Sequence, residues 1–159
     1  MVDLRKQFMQ EFRKLNDTNI FITMDVGFNF IEEIEKEQPQ KFRNLGVRER
    51  GAMIYAAGMG LQGITPWIYS MINFVTIRCH EEIRNAVCMH NSNVKILGVK
   101  GSEKYKFLGF SHNLLYETEE ISFLSQLPNM QVYVPETENK FIEIMEFESK
   151  RKGPAYIRL

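Results

Sequence analysis

The sequence predicts an α/β fold with a mainly parallel sheet of about six strands flanked by helices. Short apolar runs alternate with longer amphipathic segments along all 159 residues, and no internal repeat or low-complexity stretch interrupts this alternation. Strands that alternate with helices form βαβ units, in which right-handed crossovers keep neighbouring strands parallel. The length and the hydrophobic content of 44% fit one domain with a single sizeable core.

The first half of the chain supplies three strands and three helices. Leu4, Phe8, Phe12 and Leu15 recur at helical spacing, and the apolar run that follows them ends at Asp25. The predicted elements of this half are a helix over 3–15, a strand over 19–24, a helix over 30–37, a strand over 42–45, a helix over 49–61 that ends before Gly63, and a strand over 66–70.

The second half repeats this rhythm with longer connections. The predicted elements are a long helix over 74–90, a strand over 94–99, a long loop over 100–116, a helix over 119–126, a strand over 131–134, a helix over 137–150 and a strand over 154–159. In a parallel sheet, ligands bind at the carboxyl ends of the strands. Polar residues that follow the strands are therefore the candidates for a functional site.

Composition excludes several classes of function. Lys and Arg together number 20, as do Asp and Glu, so the net charge of zero predicts no nucleic-acid binding. No apolar run approaches the length of a membrane span, and none follows Met1 as a signal peptide requires, so we expect a cytoplasmic protein without membrane contact. Cys79 and Cys88 lie too far apart on one predicted helix to pair, which predicts free thiols, and no metal site is expected in this chain.

One carboxylate, Glu49, occupies the most informative position. It lies in the stretch LGVRERG at residues 45–51, which is followed by the small residues Ala56, Ala57 and Gly58. A carboxylate between the end of a parallel strand and the start of a helix can be held in a dry crevice, where it can accept and return a proton. The alternative is that Glu49 is only an N-terminal helix residue favoured by the helix dipole.

These residues, with Leu61-Gln62-Gly63 and Pro66, resemble the pyrimidine-binding domain of thiamine diphosphate enzymes in the transketolase and 1-deoxyxylulose-5-phosphate synthase group. The resemblance covers nearly the whole chain and implies that residues 1–159 form one such domain. It also implies that Glu49 hydrogen-bonds N1′ of the cofactor's aminopyrimidine and shares a proton with it, while the cofactor supplies the carbanion chemistry. Arg50 stands where the family usually has glutamine.

The resemblance implies two further site residues, Phe74 and His112. The stretch YSMINFV at 69–75 looks like the strand-to-helix turn whose aromatic residue stacks on the pyrimidine ring. The stretch LGFSHN at 108–113 resembles the family's Gly-Pro-Thr-His loop, whose histidine lies near the cofactor's amino group and the substrate oxygen. The simpler alternatives are a core phenylalanine and a solvated loop histidine. Departures from the family pattern are Met71 and Ile77 in place of aromatic residues, Phe110 in place of proline and Asn113 in place of another polar residue.

Weaker matches concern the cofactor and a substrate phosphate. Asp25 matches a family aspartate near the cofactor, although a turn or helix-cap role explains it equally well. Arg158 matches a basic residue that holds the substrate phosphate in sugar-phosphate enzymes of this group, and Lys100 falls near another phosphate-contacting position. Lys104 and Lys106 add positive charge to the same loop, although loop lysines are commonly only solvent-exposed.

Signatures that the sequence lacks are equally informative. No Gly-Asp-Gly motif with a downstream Asn, the family's metal and diphosphate signature, occurs in the chain. The sequence Gly58-Met59-Gly60 lies inside a predicted helix, where it indicates close helix packing. The resemblance therefore implies that the diphosphate-binding domain and the C-terminal transketolase domain are absent, and that a partner chain holds Mg²⁺ and the diphosphate. Arg78 and Arg84 on the long predicted helix are expected to be interface or surface residues.

The predicted function follows from the resemblance. The chain would be the pyrimidine-binding subunit, or a fragment, of a split transketolase-like enzyme that transfers a two-carbon ketol unit between sugars or sugar phosphates. Its site would be completed in a homodimer or a heterotetramer with a diphosphate-binding partner. One alternative is a synthase of the 1-deoxyxylulose-5-phosphate type, which decarboxylates a 2-keto acid and joins it to an aldehyde. Another is a non-catalytic binding module that kept the fold.

Overall fold

A computed structural model describes residues 4–27, 31–101 and 103–159. Its strands are β1 (Asn19–Thr23), β2 (Phe42–Asn44), β3 (Thr65–Met71), β4 (Lys95–Val99), β5 (Gln131–Tyr133) and β6 (Ala155–Arg158). Its α-helices are α1 (Leu4–Lys14), α2 (Glu32–Glu37), α3 (Glu49–Leu61), α4 (His80–Glu82), α5 (Glu119–Leu124) and α6 (Glu138–Glu148). Asp3 and Phe30, where the sequence predicts two helices to begin, lie outside the described residues, as does the side chain of Lys104.

The six strands form one sheet in the order β2-β1-β3-β4-β6-β5, and every neighbouring pair is parallel. The predicted fold class is therefore confirmed. Each predicted strand boundary lies within one residue of the observed one. This agreement arises because strands buried on both faces are nearly continuous apolar runs.

Helices cover both faces of the sheet, and alternate strand residues face opposite layers. In β1, Ile20 and Ile22 belong to the apolar cluster that also contains Ala52, Met53 and Ala56 of α3. Phe21, between them, belongs to the other cluster, which α1 and α6 supply with the residues Leu4, Phe8, Met9, Phe12, Phe141, Ile144 and Met145. The sheet therefore lies between two apolar layers.

The helical region after β3 differs from the long regular helix predicted over 74–90. A π-helical turn over Asn73–Ile77 and another over Ile83–Cys88 flank the short helix α4. The Arg78 amide donates to the carbonyl of Asn73, five residues earlier, and the Thr76 hydroxyl donates to the carbonyl of Ile72 at 2.7 Å. Because such side-chain bonds compete with the regular ladder, they favour local distortion, and π turns occur frequently at functional sites.

The predicted loop over 100–116 also contains more structure than expected. Residues Glu103–Ser111 form 3₁₀ turns, which are interrupted at Gly109 where φ is 64°. The Asn113 side-chain amide donates to the carbonyls of Tyr105 at 2.9 Å and Gly109 at 2.8 Å. Asn113, which departs from the family pattern, therefore stabilises the shape of this loop.

The sheet topology locates a crevice. From β1 the chain moves to β2 on one side and then crosses to β3 on the other side of β1. Such a reversal of strand order opens a crevice at the carboxyl ends of β1 and β3. The segments that follow β1, β2, β3 and β4 all begin at this edge, and they carry most of the candidate site residues.

Candidate active site at the carboxyl edge of the sheet

Glu49 is the first residue of α3, and its side chain is only 7% exposed. The segment that leads to it turns at Gly46, whose φ is +68° and whose amide donates to Asn44 Oδ1 at 3.0 Å. Arg48 precedes the helix without a side-chain cap bond. The structure thus places a buried carboxylate at a helix start beside the end of β2, where the helix dipole favours negative charge.

Arg78 contacts two of the predicted site residues at once. Its guanidinium donates a 2.5 Å hydrogen bond to Glu49 Oε1, and its Cζ lies 4.2 Å from the centroid of the Phe74 ring. The Arg78 side chain is 44% exposed. The expectation that Arg78 is an interface or surface residue therefore missed its contact with the candidate site.

Phe74 and His112 meet edge to face. Their ring centroids lie 4.9 Å apart at an interplanar angle of 75°, a favoured arrangement for two aromatic rings. Ser111 Oγ lies 2.7 Å from His112 Nδ1 and helps to orient the imidazole. Glu49, Arg78, Phe74 and His112 therefore form one contiguous group, although they come from three separate segments of the chain.

Asn73 attaches the His112 loop to the helical segment that carries Phe74. Its side-chain amide donates to the carbonyls of Phe110 at 2.9 Å and Asn113 at 3.0 Å. A Cβ atom at Gly101 would lie 2.7 Å from the carbonyl oxygen of His112, so the loop approaches the end of β4 closely. These contacts determine the position of the histidine relative to the ring.

Asp25 adopts a left-handed conformation at the end of β1, with a φ of 55°. Aspartate tolerates this region better than most residues, and such outliers are frequent at functional sites. Its carboxylate accepts a 2.9 Å bond from the Asn44 amide, and its own amide donates to Asn44 Oδ1 at 3.2 Å. Asn44 therefore links Asp25 to the turn at Gly46 that leads to Glu49.

Arg158, at the end of β6, is buried against two carboxylates. Its guanidinium donates to Glu120 Oε1 at 2.8 Å, to Glu117 Oε1 at 3.0 Å and to the Glu117 carbonyl at 2.6 Å. Burial lowers the pKa of Arg158, but the bond and charge of Glu120 outweigh it and raise the pKa above its ordinary value. Tyr156 also donates to Glu120 at 2.8 Å, so Arg158 is part of a connected buried network.

Lys100, the other predicted phosphate contact, forms an ion pair with Glu117. The bond from Lys100 is the largest of the effects that lower the pKa of Glu117, and the charge of Arg158 adds to it. One carboxylate therefore bridges both cations that the sequence predicts to bind phosphate. Glu117 itself is 62% exposed.

Arg50 and Arg84, two other arginines near the candidate site residues in sequence, differ in the side chains to which they bond. Arg50, at the position where the resemblance implies glutamine, pairs with Glu82 at 2.6 Å and with Glu81 at 2.9 Å. Arg84 is exposed, as predicted, and donates to Asn85 Oδ1 at 2.7 Å. The structure thus gives Arg50 partners within its own chain.

Both cysteines are buried free thiols, which confirms the prediction. Burial raises the pKa of Cys79 to about 12, with the charges of Glu82 and Glu49 adding to the effect, and it raises the pKa of Cys88 to about 12. Across residues 4–27, 31–101 and 103–159, no group of three or more His, Cys, Asp or Glu side chains is placed to hold a metal ion. No helix in that part of the chain has the length and apolarity to cross a membrane.

Sequence reasoning missed three residues that organise the site, namely Arg78, Asn73 and Asn44. A signal existed for Arg78, because it follows Phe74 by four residues, the spacing at which helical side chains meet. Asn73 and Asn44 gave no comparable signal, since each acts on a segment that is distant in sequence or on a backbone group.

Comparison with known proteins identifies relatives of this chain. The family model described as the transketolase pyrimidine binding domain matches residues 2–159. The chain is 29% identical over 124 residues to one subunit of an apulose-4-phosphate transketolase of Actinobacillus succinogenes, covering 78% of this chain and 39% of the relative. It is 32% identical over 117 residues to 1-deoxy-D-xylulose-5-phosphate synthase of Bacillus cereus, covering 74% of this chain and 18% of the relative. The chain thus spans well under half the length of these relatives.

Solved structures agree with these matches. A structure described as a split gene transketolase in an inactive beta4 tetramer superposes with a TM-score of 0.84 at 29% identity, covering 98% of this chain and 50% of the other. Transketolase from Campylobacter jejuni superposes with a TM-score of 0.78 at 13% identity, covering 96% of this chain and 25% of the other, which shows a shared fold.

Proposed function

Because the chain belongs to the family of transketolase pyrimidine-binding domains, whose transketolase and synthase members depend on thiamine diphosphate, we propose that it supplies the pyrimidine-binding half of a transketolase-like active site. The complete enzyme would transfer a two-carbon ketol unit between sugars and would be active only with a diphosphate-binding partner. The observation that carries this proposal is the contiguous group at the carboxyl edge of the sheet, in which Arg78 joins the buried Glu49 to the partly exposed Phe74, and Phe74 contacts His112.

The residues present fit an aminopyrimidine ring. Such a ring needs a hydrogen-bonding carboxylate at its edge and an aromatic surface against its face. Glu49 and Phe74 already hold a planar nitrogen group in this manner, because the Arg78 guanidinium bonds to the carboxylate and lies over the ring. The combination of a buried carboxylate and an aromatic face supports a site for a flat heterocycle with polar nitrogen atoms.

When bound, thiamine diphosphate supplies the nucleophilic carbon and the electron sink for ketol transfer. Glu49 Oε1 would accept and return a proton at the edge of the pyrimidine ring, and burial keeps this exchange away from bulk water. Phe74 would orient the ring by stacking. His112, whose Nδ1 lies beside Ser111 Oγ, would exchange a proton with a substrate oxygen through Nε2.

Asp25 and a substrate phosphate complete the proposed site. Asp25, held by Asn44 at the end of β1, would lie beside the cofactor. Arg158 and Lys100 would bind the phosphate of a sugar phosphate, as fixed and flexible cations respectively. Glu117 supports this role, because it is an anion that already bridges the two cations, and a phosphate would take its place.

The partner would contribute Mg²⁺ and the diphosphate site. Exposed apolar residues support a docking surface on α3 and the turn before it, namely Val47, Ile54, Tyr55 and Leu61. The similarity to one subunit of a transketolase and to a split gene transketolase also supports a site shared between chains. A heterotetramer with two copies of each chain, or a homodimer of this chain before the partner binds, is the proposed assembly.

Gentle purification of the chain from its native cell, followed by mass spectrometry and cofactor analysis, tests this proposal. We expect a partner that carries a Gly-Asp-Gly motif with a downstream Asn, together with thiamine diphosphate and Mg²⁺. Recovery with an unrelated partner and without cofactor would contradict the proposal and favour the non-catalytic module.

A synthase of the 1-deoxyxylulose-5-phosphate type is the second candidate, and the 32% identity to such an enzyme favours it. It would use the same cofactor but begin with decarboxylation of a 2-keto acid. Assay of the assembled complex with ketose donors and with pyruvate separates the two reactions. Turnover of ketoses supports the transketolase reaction, whereas release of CO₂ from pyruvate supports the synthase.

A further inference from the structure

The guanidinium of Arg78 contacts both residues that are proposed to hold the pyrimidine ring, Glu49 and Phe74. It donates to Glu49 Oε1 at 2.5 Å and lies 4.2 Å from the Phe74 ring centroid. The two contacts come from one planar group, so they form or break together. Any other planar ligand that uses Glu49 and Phe74 meets this side chain.

A guanidinium and an aminopyrimidine share the properties that these two residues recognise. Both are flat, both present nitrogen atoms in the plane, and both stack on aromatic faces. Arginine contacts aromatic rings in this way as a cation over a π-system. The Arg78 side chain, which belongs to the protein itself, therefore makes the same two interactions that the cofactor ring would make, a hydrogen bond to Glu49 and a contact with the face of Phe74.

The position of Arg78 allows it to leave. Its side chain is 44% exposed, whereas that of Arg158 is 8% exposed and bonds to two glutamates. Among the contacts of the described residues, the Arg78 guanidinium bonds to no carboxylate other than Glu49. Movement into solvent would therefore break one ion pair and one ring contact, while the backbone of the helical turn stays in place.

We propose that Arg78 is an internal competitor of the cofactor, which fills the pyrimidine site and is displaced when the aminopyrimidine binds. This inference rests on the proposed function, since it requires Glu49 and Phe74 to be the cofactor site. The apparent affinity for the cofactor is then the intrinsic affinity reduced by the fraction of molecules in which Arg78 has moved away. Arg78 thus lowers the apparent affinity of the site for the cofactor, although it is not one of the residues that hold the bound ring.

Titration of the full chain with thiamine tests the proposal. Thiamine carries the aminopyrimidine but lacks the diphosphate, so its binding does not require the partner's diphosphate site. We would compare the wild type with Arg78→Ala and with Arg78→Lys by calorimetry, and follow the Nε–H resonance of Arg78 in ¹⁵N-labelled wild type. Arg84→Ala is the matched control, because Arg84 is an exposed arginine in the same helical region.

We expect Arg78→Ala to bind thiamine about fivefold to thirtyfold more tightly than the wild type, as one ion pair plus one cation–π contact predicts. Arg78→Lys, which keeps the charge but loses the planar group, should show a smaller gain. Arg84→Ala should differ from the wild type by less than about twofold. In the wild type, the Arg78 resonance should shift in proportion to thiamine occupancy.

Two kinds of outcome would contradict the inference, and they are distinguishable. If thiamine binding needs Glu49 but is unchanged in Arg78→Ala, Arg78 does not compete with the ligand. If binding is weakened in Arg78→Ala, Arg78 positions the carboxylate or contacts the ligand. In both cases the competitor role would be wrong while the proposed function stands. Thiamine binding that is absent in all variants, or that is unaffected by Glu49→Gln, would overturn the proposed function and the inference together.

Discussion

The side-chain amide of Asn73 donates a 3.0 Å hydrogen bond to the carbonyl of Asn113 and thereby joins two segments that are 40 residues apart. A second bond, to the carbonyl of Phe110 at 2.9 Å, reinforces the connection. Since Phe74 and His112 are the immediate neighbours of these two asparagines, the bonds determine how the ring and the imidazole meet.

Asn73→Ala should loosen the His112 loop while leaving the sheet intact. The substitution removes two side-chain bonds, each worth about 0.5–1.5 kcal/mol, but the loop can open locally without global unfolding. Hydrogen exchange should therefore accelerate in residues 109–113 and remain unchanged in β3 and β4. Asn85→Ala is the control, because Asn85 is an exposed asparagine in the same helical region. Equal hydrogen exchange of residues 109–113 in the two variants would refute the role of Asn73.

Glu117→Gln should strengthen phosphate binding. The wild-type carboxylate bridges Lys100 and Arg158, so an incoming phosphate must replace it. Neutralising it should tighten the binding of inorganic phosphate by about twofold to fivefold, the size of an exposed ion pair. Calorimetry with inorganic phosphate provides the measurement.

Glu143→Gln is the control for this effect, because Glu143 is an exposed carboxylate paired with a lysine on α6. It should leave phosphate binding unchanged. Weaker phosphate binding in Glu117→Gln would show that Glu117 positions the two cations, and equal binding in both variants would remove Arg158 and Lys100 from the proposed phosphate site.

The buried thiol of Cys88 should make the protein less stable in alkali. Burial raises its pKa to about 12 from an ordinary value of 9.0. Above pH 9 the unfolded thiol ionises while the folded thiol keeps its proton, so the unfolded state binds fewer protons and stability falls as pH rises. The slope for one such group reaches about 1.4 kcal/mol per pH unit. Urea unfolding of the wild type and of Cys88→Ala between pH 9 and 11 measures it.

The test compares how steeply stability changes with pH in the wild type and in Cys88→Ala. Only the difference between these two slopes reports on Cys88, because Lys95 changes the pH dependence of stability in the opposite direction. Burial lowers the pKa of Lys95 to about 8, so its unfolded form binds the extra proton between about pH 8 and 10.5, and stability rises in that range. Cys88→Ala should therefore lose stability less steeply than the wild type, whatever the loss caused by the smaller side chain. Parallel slopes would contradict the account of this thiol.

The fold could be predicted from the sequence because its determinants are local. Buried parallel strands appear as short apolar runs, and each of the six was located within one residue. The long helix predicted over 74–90 is helical in the structure but contains two π-helical turns. The sequence pattern missed these turns, because a search at the 3.6-residue period cannot detect bonds between residues five apart, such as that from Arg78 to Asn73. Likewise, the 3₁₀ turns near Gly109 depend on the side chain of Asn113 rather than on apolar spacing.

The candidate site was predictable only in part. Glu49, Phe74 and His112 were expected from the family resemblance of the segments that carry them, and the structure brings them into one group through Arg78. The partners of these residues could not be predicted, because they depend on tertiary contacts. Arg158 and Glu117, for example, are 41 residues apart in sequence, and nothing in either local pattern indicates that they meet.

The most direct test of the central claim is the turnover of the complex formed with its diphosphate-binding partner, compared between the wild type and Glu49→Ala. The account predicts that the variant assembles and unfolds at a similar temperature but loses at least about a hundredfold in kcat, as expected when a proton-exchanging group is removed. Turnover within about twofold of the wild type would contradict the assignment of Glu49 as the residue on which this site depends.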